Sequence, residues 1–205
     1  MNILNNIIFS SKKIIPSKVV CVGRNYVEHI KELDNEIPEN MVLFLKPNSA
    51  ISSKLRYVSK DNHYEGEISF LVIDKKIAGV GFGLDLTKRE LQNYLKSKGL
   101  PWERAKCFDG AAVFSEFVPF SSEINELSLE LYINDNLAQK GGVVQMIYKP
   151  QTILEEVESF LSLEDGDIIM SGTPKGVGKY KKGDKFLGRI LHKESVLIEH
   201  QWLVS

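Results

Sequence analysis

Short strand-like segments separated by turn signals recur through the second half of this 205-residue chain and limit the folds open to it. The clearest are the stretches SLELYIND, GDIIMSG, KFLGRIL and ESVLIEH. Many short strands with few helical segments favour a β-rich α+β fold. The hydrophobic fraction of 43% is enough to build a core, and the length fits one unit, so we expect residues 1–205 to form a single domain.

The first half contains both helical and strand patterns. Apolar runs and alternation predict strands at 18–23, 41–46, 64–73 and 76–84, and periodicity predicts helices at 25–34, 87–98 and 152–163. Asn25 is the expected N-cap of the first helix. Thr87 and Glu90 have the spacing of a capping box for the second helix, and Gly99 follows as its stop signal.

Composition excludes several classes of protein. The formal net charge is -1, with acidic and basic residues mixed along the chain, so nucleic-acid binding has no electrostatic basis. No apolar stretch approaches the roughly 20 residues needed to span a bilayer, and the N-terminus is a poor signal peptide. Cys21 and Cys107 belong to no CxxC motif, which argues against a disulfide framework or a zinc site. We therefore expect a soluble, cytoplasmic protein.

Two carboxylates in the alternating segment 64–73 indicate a candidate metal site. Glu65 and Glu67 are two apart on a predicted strand, so they point to the same face and repel each other. Gly66 between them allows a ligand or another strand to approach closely. Asp85, in the apolar run GVGFGLDLT, is costly to bury without a partner. Such oxygen ligands suit magnesium, manganese or calcium, although a solvent-facing acidic strand is the alternative.

Three further residues could complete a site of this kind. Lys106, in PWERAKCFDG, could neutralise the charge that remains when three carboxylates surround a divalent ion. His29 and Glu32 share one face of the predicted first helix, where a carboxylate can orient an imidazole as a general base. From spacing alone, an ordinary surface lysine and a surface His–Glu pair remain the alternatives.

The segment SGTPKGVGK resembles a phosphate-binding loop only superficially. The spacing from Gly172 to Gly178 is one residue too long for a P-loop, and Tyr180 replaces the required hydroxyl residue. We interpret it as a strand-to-loop turn whose backbone amides and Thr173 hydroxyl contact an anionic substrate.

Taken in order, these motifs resemble the fumarylacetoacetate hydrolase family. The matching segments are CVGRNYVEHIKEL, FLKP, HYEGEISFLV, GFGLDLTKRELQ, KGLPWERAKCFDGAAVFSEFVP and GDIIMSGTPKGVG. They run from about residue 18 to the C-terminus. The sequence is most similar to the small branch that contains acylpyruvate hydrolases and oxaloacetate decarboxylases or tautomerases. The resemblance implies a β-rich roll of mixed sheets with few short helices, usually assembled as a homodimer.

The resemblance also implies residue roles. The implied metal ligands are Glu65, Glu67 and Asp85, with Mg2+ or Mn2+ as the expected ion and Ca2+ as an alternative. The implied catalytic residues are His29, Glu32 and Lys106. Arg24, Gln92 and Thr173 fall where substrate contacts are expected. Because the first helix is short and followed by a loop, we expect residues 24–40 to form a lid over bound substrate.

The implied activity is metal-dependent cleavage of the C3–C4 bond of short 2-oxo or 2,4-dioxo acids through a metal-bound pyruvate enolate. Acylpyruvate hydrolysis and oxaloacetate decarboxylation are the leading reactions. Oxaloacetate keto–enol tautomerisation and a hydratase or decarboxylase of longer dienoates are alternatives among enzymes. A metabolite-binding protein without catalysis on the same fold is the alternative outside them.

Overall fold

The computed structural model describes residues 4–33, 38–121 and 123–205. The described α-helices are α1 Val27–Glu32, α2 Arg89–Ser97, α3 Glu103–Lys106 and α4 Pro150–Glu158. The described strands up to the second helix are β1 Ile7–Phe9, β2 Lys12–Ile14, β3 Lys18–Gly23, β4 Val42–Pro47, β5 Ile51–Ser52, β6 Asn62–Tyr64, β7 Gly66–Ile73, β8 Lys76–Asp85 and β9 Thr87–Lys88. The strands that follow are β10 Ala112–Phe114, β11 Val118–Pro119, β12 Leu127–Ile133, β13 Asn136–Gly142, β14 Ile168–Met170, β15 Gly178–Lys179, β16 Lys185–His192 and β17 Ser195–Leu203.

The main sheet has the strand order β4-β3-β14-β7-β8-β10-β5, with β11 also paired to β8. Most neighbours are antiparallel, but β14 is parallel to β3 and β10 is parallel to β5. A second sheet has the order β13-β12-β16-β17, a small third sheet the order β15-β6-β9, and β1 and β2 form a hairpin. The predicted fold, β-rich with mixed sheets and few short helices, is therefore confirmed.

Both faces of the main sheet are packed, so its central strand is buried along almost its whole length. Residues 66–72 of β7 are all buried. Phe70 belongs to the larger hydrophobic cluster, in which Phe82 of the main sheet packs against Trp202 of the second sheet with ring centroids 6.0 Å apart. Leu71 points to the opposite face and a second cluster. Carboxylates on this strand are therefore buried, and they need charged or hydrogen-bonding partners.

The predicted elements are present with shifted ends. The strands expected at 18–23, 41–46 and 76–84 correspond to β3, β4 and β8, each displaced by at most one residue. The strand expected at 64–73 is divided at Glu65 into β6 and β7. The helix expected at 152–163 is α4, which begins and ends earlier in the chain.

Helix α1 is shorter than the predicted range of 25–34, whose last residue lies outside the described residues. Its N-cap residue is Tyr26, which makes no side-chain capping bond. The prediction of Asn25 as N-cap is wrong because its buried carboxamide is used elsewhere. It donates to the backbone carbonyls of Tyr148 at 3.0 Å and Ser171 at 2.8 Å. These bonds fix the start of the helix against two distant loops.

Helix α2 begins two residues later than predicted. The predicted capping box is wrong because Thr87 lies in β9 and the N-cap residue, Lys88, makes no side-chain capping bond. Asp61 supplies the cap through tertiary structure, since its Oδ1 accepts the backbone N–H of Glu90 at 2.9 Å. The predicted stop at Gly99 is confirmed by its φ of 62°, a conformation that glycine adopts readily.

Among the described residues, no helix has both the length and the apolar character required to cross a membrane.

Candidate active site

Pairing of β7 with β8 brings the three acidic residues together. The two strands are antiparallel, with Gly66 opposite Leu84, and the backbone N–H of Asp85 donates to the carbonyl of Glu65 at 2.8 Å. One carboxylate oxygen from each of Glu65, Glu67 and Asp85 lies within 4.8 Å of the others. All three residues are at most 5% exposed. The register of one hairpin therefore builds the cluster that the sequence predicts.

Three cations surround these carboxylates. Lys106 Nζ lies 2.8 Å from Glu65 Oε2 and 2.7 Å from Asp85 Oδ2, so the predicted lysine is at the cluster. Lys46 Nζ lies 2.8 Å from Asp85 Oδ1, and the Arg89 guanidinium pairs with Glu65 Oε1. Three carboxyl and three cationic side chains thus occupy one buried region, and the ion pairs to Glu65 and Asp85 offset part of the cost of burying these charges.

The charges are not balanced evenly among the carboxylates. Burial disfavours the charged form of Glu65, but Lys106 and Arg89 hold its pKa well below the usual range. Burial raises the pKa of Glu67 well above its usual range, and the neighbouring charges of Asp85 and Glu65 raise it further. Burial would lower the pKa of Lys106, but Asp85 and Glu65 outweigh burial and raise it. An additional cation would therefore stabilise the charged form of Glu67 more than that of Glu65, which already has two cationic partners.

The residues present fit a divalent cation. Glu65, Glu67 and Asp85 offer hard carboxylate oxygens close enough together to bind one ion, and their types suit Mg2+, Mn2+ or Ca2+. The backbone N–H of Gly172 donates to Glu67 Oε2 at 2.8 Å, which fixes the orientation of that carboxylate. The loop that carries Gly172 therefore sets the orientation of the Glu67 carboxyl group within the cluster.

The predicted His–Glu pair is also formed. His29 Nδ1 lies 3.1 Å from Glu32 Oε2, and the His29 side chain is buried. The backbone N–H of Gly176 donates to Glu32 Oε1 at 2.9 Å and to Oε2 at 3.1 Å. A carboxylate fixed by a backbone amide can in turn fix one ring nitrogen of the histidine, which leaves the other free to act as a base.

Two backbone amides of the loop 171–178 donate to carboxylates of the protein itself. The backbone amides of this loop were expected to contact an anionic substrate, but those of Gly172 and Gly176 donate to the carboxylates of Glu67 and Glu32. Gly176 has a φ of 102°, and a Cβ at this position would overlap the carbonyl oxygen of Ala138. The loop thus connects the acidic cluster to the helix that carries His29.

The predicted residues converge on one cleft. Of the nine site residues that the sequence predicts, all except Glu32 line it: Arg24, His29, Glu65, Glu67, Asp85, Gln92, Lys106 and Thr173. Glu32 lies behind His29. The aromatic wall of the cleft includes Phe44 and Trp102, with ring centroids 5.9 Å apart, and Lys106 Nζ lies 5.0 Å from the centroid of the Phe44 ring.

The three residues predicted to contact the substrate differ in their local conformation and hydrogen bonding. Arg24 has a φ of 57°, a left-handed conformation that costs a non-glycine residue about 1 to 3 kcal/mol. Gln92 Oε1 accepts a hydrogen bond from the Arg89 guanidinium at 2.8 Å. Thr173 Oγ1 donates to the carbonyl of Gly66 at 2.9 Å, which places it beside the acidic residues. All three predicted contact residues therefore reach the same cleft as the acidic cluster.

Sequence reasoning assigned no role in the acidic cluster to Lys46, Arg89 or Gln139. Lys46 is fully buried within a strand predicted to be apolar, and a lone lysine in such a strand is a signal for a buried partner. Arg89 lies in the matching segment GFGLDLTKRELQ, but residue type and charge alone do not separate it from a surface residue in the charged run TKRE. Gln139 comes from the second sheet, and no local pattern places it near the cluster.

Comparisons with known proteins agree with the fold. Residues 18–200 match the family described as Fumarylacetoacetate (FAA) hydrolase C-terminal. The chain is 37% identical over 188 residues to oxaloacetate tautomerase YcgM of Escherichia coli (strain K12), covering 82% of this chain and 86% of that protein. It is 36% identical over 185 residues to the mitochondrial oxaloacetate decarboxylase of Dictyostelium discoideum, covering 81% of this chain and 85% of that protein.

A solved structure is also similar. The crystal structure of fumarylpyruvate hydrolase from Pseudomonas aeruginosa in complex with Mn2+ and pyruvate superposes with a TM-score of 0.86 at 27% identity. The superposition covers 98% of this chain and 95% of that one. With the family match spanning most of the sequence, the chain belongs to the fumarylacetoacetate hydrolase family.

Proposed function

We propose that this protein is a divalent-metal-dependent enzyme that cleaves the C3–C4 bond of short 2-oxo or 2,4-dioxo acids. The observation that carries the proposal is the convergence of a buried carboxylate cluster, Lys106 and the His29–Glu32 pair on one cleft. The similar proteins include an oxaloacetate tautomerase, an oxaloacetate decarboxylase and a fumarylpyruvate hydrolase, which share small oxo acids as substrates.

Glu65, Glu67 and Asp85 would hold the cation, with Mg2+ or Mn2+ as the proposed ion. When bound, the cation supplies Lewis-acid chemistry for the carboxylate and 2-oxo groups of the substrate. The proposal is supported by the donor set and by the solved relative that contains Mn2+ together with pyruvate. The three side-chain cations around the carboxylates leave a surplus of positive charge once the ion is present. An anionic substrate would neutralise that surplus.

Lys106 would stabilise the negative charge that develops on the 2-oxo oxygen as the C3–C4 bond breaks. Its ammonium group is fixed by Glu65, Asp85 and the Thr87 hydroxyl, the last at 2.6 Å, and both carboxylates raise its pKa. The lysine therefore stays charged at neutral pH and can act by electrostatics without transferring a proton.

His29 would be the general base for substrates that need water. With Nδ1 fixed by Glu32, the other ring nitrogen can accept a proton from water as the water oxygen bonds to C4 of an acylpyruvate. The electron pair of the C3–C4 bond passes to the pyruvate enolate, and C4 leaves as a carboxylic acid. A proton added at C3 completes pyruvate. Arg24, Gln92 and Thr173 are proposed to contact the substrate along the cleft.

In oxaloacetate the same bond breaks with loss of carbon dioxide, and no attacking water is required. Oxaloacetate tautomerisation, in which a proton moves between C3 and the 2-oxo oxygen, is the second candidate. It is favoured by the 37% identity to an oxaloacetate tautomerase. The same Lys106 charge would serve all three reactions, since each forms an enolate or enol at the same oxygen.

Two further proposals concern assembly and motion. β4 is an edge of the main sheet among the described strands, and Leu45 on it is 44% exposed, which gives two copies a reason to pair as a homodimer. Light scattering of the purified protein would measure the oligomeric state.

The lid at 24–40 stays a prediction, since residues 34–37 lie outside the described residues.

The test is the loss of enol absorbance with acetylpyruvate and with oxaloacetate, in Mg2+ and then with a chelator, while pyruvate is quantified in parallel. Chelator-sensitive pyruvate release is the expected result, and the ratio of rates separates hydrolysis from decarboxylation. Absorbance change without pyruvate would identify a tautomerase. No change with either substrate would overturn the proposal and favour longer dienoates or a binding protein.

A further inference from the structure

A gap in the hydrogen bonding of the main sheet lies where the acidic residues emerge. β14 pairs with β7 only from Ser69 to Leu71, because β14 ends at Met170. Among the described strands, none therefore lies on that side of Gly66, between Glu65 and Glu67, to bond its backbone groups. Those groups are buried, and buried backbone N–H and C=O groups need partners.

Two side chains take the place of the missing strand. The backbone N–H of Gly66 donates to Gln139 Oε1 at 2.8 Å, and Thr173 Oγ1 donates to the Gly66 carbonyl at 2.9 Å. Gln139 Nε2 donates to Thr173 Oγ1 at 2.8 Å and closes a ring of three bonds. Its other N–H donates to the carbonyl of Pro174, also at 2.8 Å. A carboxamide is suited to this place because it accepts and donates at once.

Gln139 reaches this point from the opposite sheet. It lies on β13, it is only 1% exposed, and its Oε1 would be 3.0 Å from a Cβ built on Gly66. The carboxamide thus packs directly against the residue that separates the two glutamates. A shift of Gly66 would move both Glu65 and Glu67, because they are its immediate neighbours in the chain.

We infer that Gln139 is a positioning residue for the metal ligands, which sets the spacing of Glu65 and Glu67 by bonding the backbone between them. The inference rests on the proposed metal site. Without the carboxamide, the Gly66 N–H is buried and unpaired, and the strand can relieve that cost only by moving toward another acceptor or toward water. Either movement changes the distance between the carboxylates.

The test is the affinity of the chelator-treated full-length protein for Mn2+, measured by titration calorimetry without substrate. Gln139→Leu keeps the approximate size of the side chain and removes its polar groups, and we expect it to weaken Mn2+ binding by about tenfold or more. The matched control is Gln145→Leu. Gln145 Oε1 also accepts a backbone N–H, that of Gly142 at 2.8 Å, but its side chain is exposed and does not line the cleft. We expect the control to bind Mn2+ like wild type.

A second pair of variants covers the case in which Gln139→Leu fails to fold. Thr173→Val removes the hydroxyl from the ring and should weaken Mn2+ binding, whereas Thr173→Ser keeps the hydroxyl and should restore it. Melting temperatures of the metal-free variants show whether a substitution lowers the stability of the whole protein. A purely structural role would lower these temperatures but leave the Mn2+ affinity of the folded protein unchanged.

Unchanged Mn2+ affinity in both Gln139→Leu and Thr173→Val would overturn the inference while leaving the proposed metal site intact. Equal weakening by Gln139→Leu and Gln145→Leu would also overturn it, since the effect would then not depend on Gly66. Failure of the wild-type protein to bind Mn2+ would overturn both the metal site and the inference.

Discussion

Lys46 Nζ lies 2.8 Å from Asp85 Oδ1, and neither side chain is more than 2% exposed. The same ammonium group donates to the backbone carbonyls of Lys106 and Ala111, the latter at 3.1 Å. The ammonium group therefore forms an ion pair with a proposed metal ligand and hydrogen-bonds the backbone of the proposed catalytic lysine. The pair joins strand β4 to the acidic cluster.

Lys46→Met should destabilise the protein strongly. Removing one partner of a buried ion pair leaves an unpaired charge, which costs about 3 kcal/mol or more in the free energy of unfolding. Urea denaturation at neutral pH measures this change. Lys140→Met is the matched control, because Lys140 pairs with Glu130 at 2.9 Å but is 65% exposed. An equally large loss in the control would contradict the prediction.

His29→Gln should separate the two cleavage reactions. Hydrolysis of acetylpyruvate needs an activated water and should fall about a hundredfold or more, whereas decarboxylation of oxaloacetate needs no water and should fall less. Rates for both substrates, with Mn2+ affinity measured alongside, give the comparison. Lys31→Ala on the same helix is the control, since this side chain is 69% exposed. Equal loss of both activities in His29→Gln would argue against the role of His29 as the base for water.

Gly176→Ala should lower both stability and activity. The φ of 102° and the overlap of a new Cβ with the Ala138 carbonyl oblige the loop to move, which removes the amide that fixes Glu32. Gly183→Ala is the control, because Gly183 has a φ of 88° but no atom within 4 Å of a built Cβ. The control should lose about 1 kcal/mol from backbone strain alone, with unchanged turnover. Similar turnover in both variants would contradict the proposed link between this loop and Glu32.

Asp167→Asn should reduce stability in a pH-dependent way. Burial opposes the charge of Asp167, but bonds from the Lys18 ammonium, the Glu164 backbone N–H and the Ser17 hydroxyl hold its pKa below the usual value. A carboxylate with a lowered folded-state pKa stabilises the fold above its unfolded pKa of about 3.9, and the contribution is lost as pH falls through the folded value.

Melting temperatures of wild type and Asp167→Asn at neutral pH and near pH 3 provide the measurement. The melting temperature of Asp167→Asn should lie well below that of wild type at neutral pH. This difference in melting temperature should become smaller near pH 3. Asp165→Asn is the control, because Asp165 accepts a single backbone N–H, that of Asp74 at 2.8 Å, on an exposed turn. A difference that stays constant with pH would contradict the prediction.

Most of the candidate site could be predicted because its signals are local. The i and i+2 spacing of Glu65 and Glu67 places both on one face of a strand, and the ordered motifs carry the family resemblance. The helix caps could not be predicted in this way. Asp61 caps α2 from 29 residues away, and Asn25, which has the right type for a cap, is used for tertiary bonds instead. Residue type alone does not identify which of several partners a polar group will find.

The sequence by itself determined the β-rich class, the strand positions and the residue types of the acidic cluster, because periodicity and chemistry are properties of short segments. Tertiary structure decided which distant groups complete that cluster. Lys46, Arg89 and Gln139 come from three separate elements, and their placement depends on sheet order and register. Buried charges and backbone groups must be paired, but which residue pairs with them is settled only when the sheets pack together.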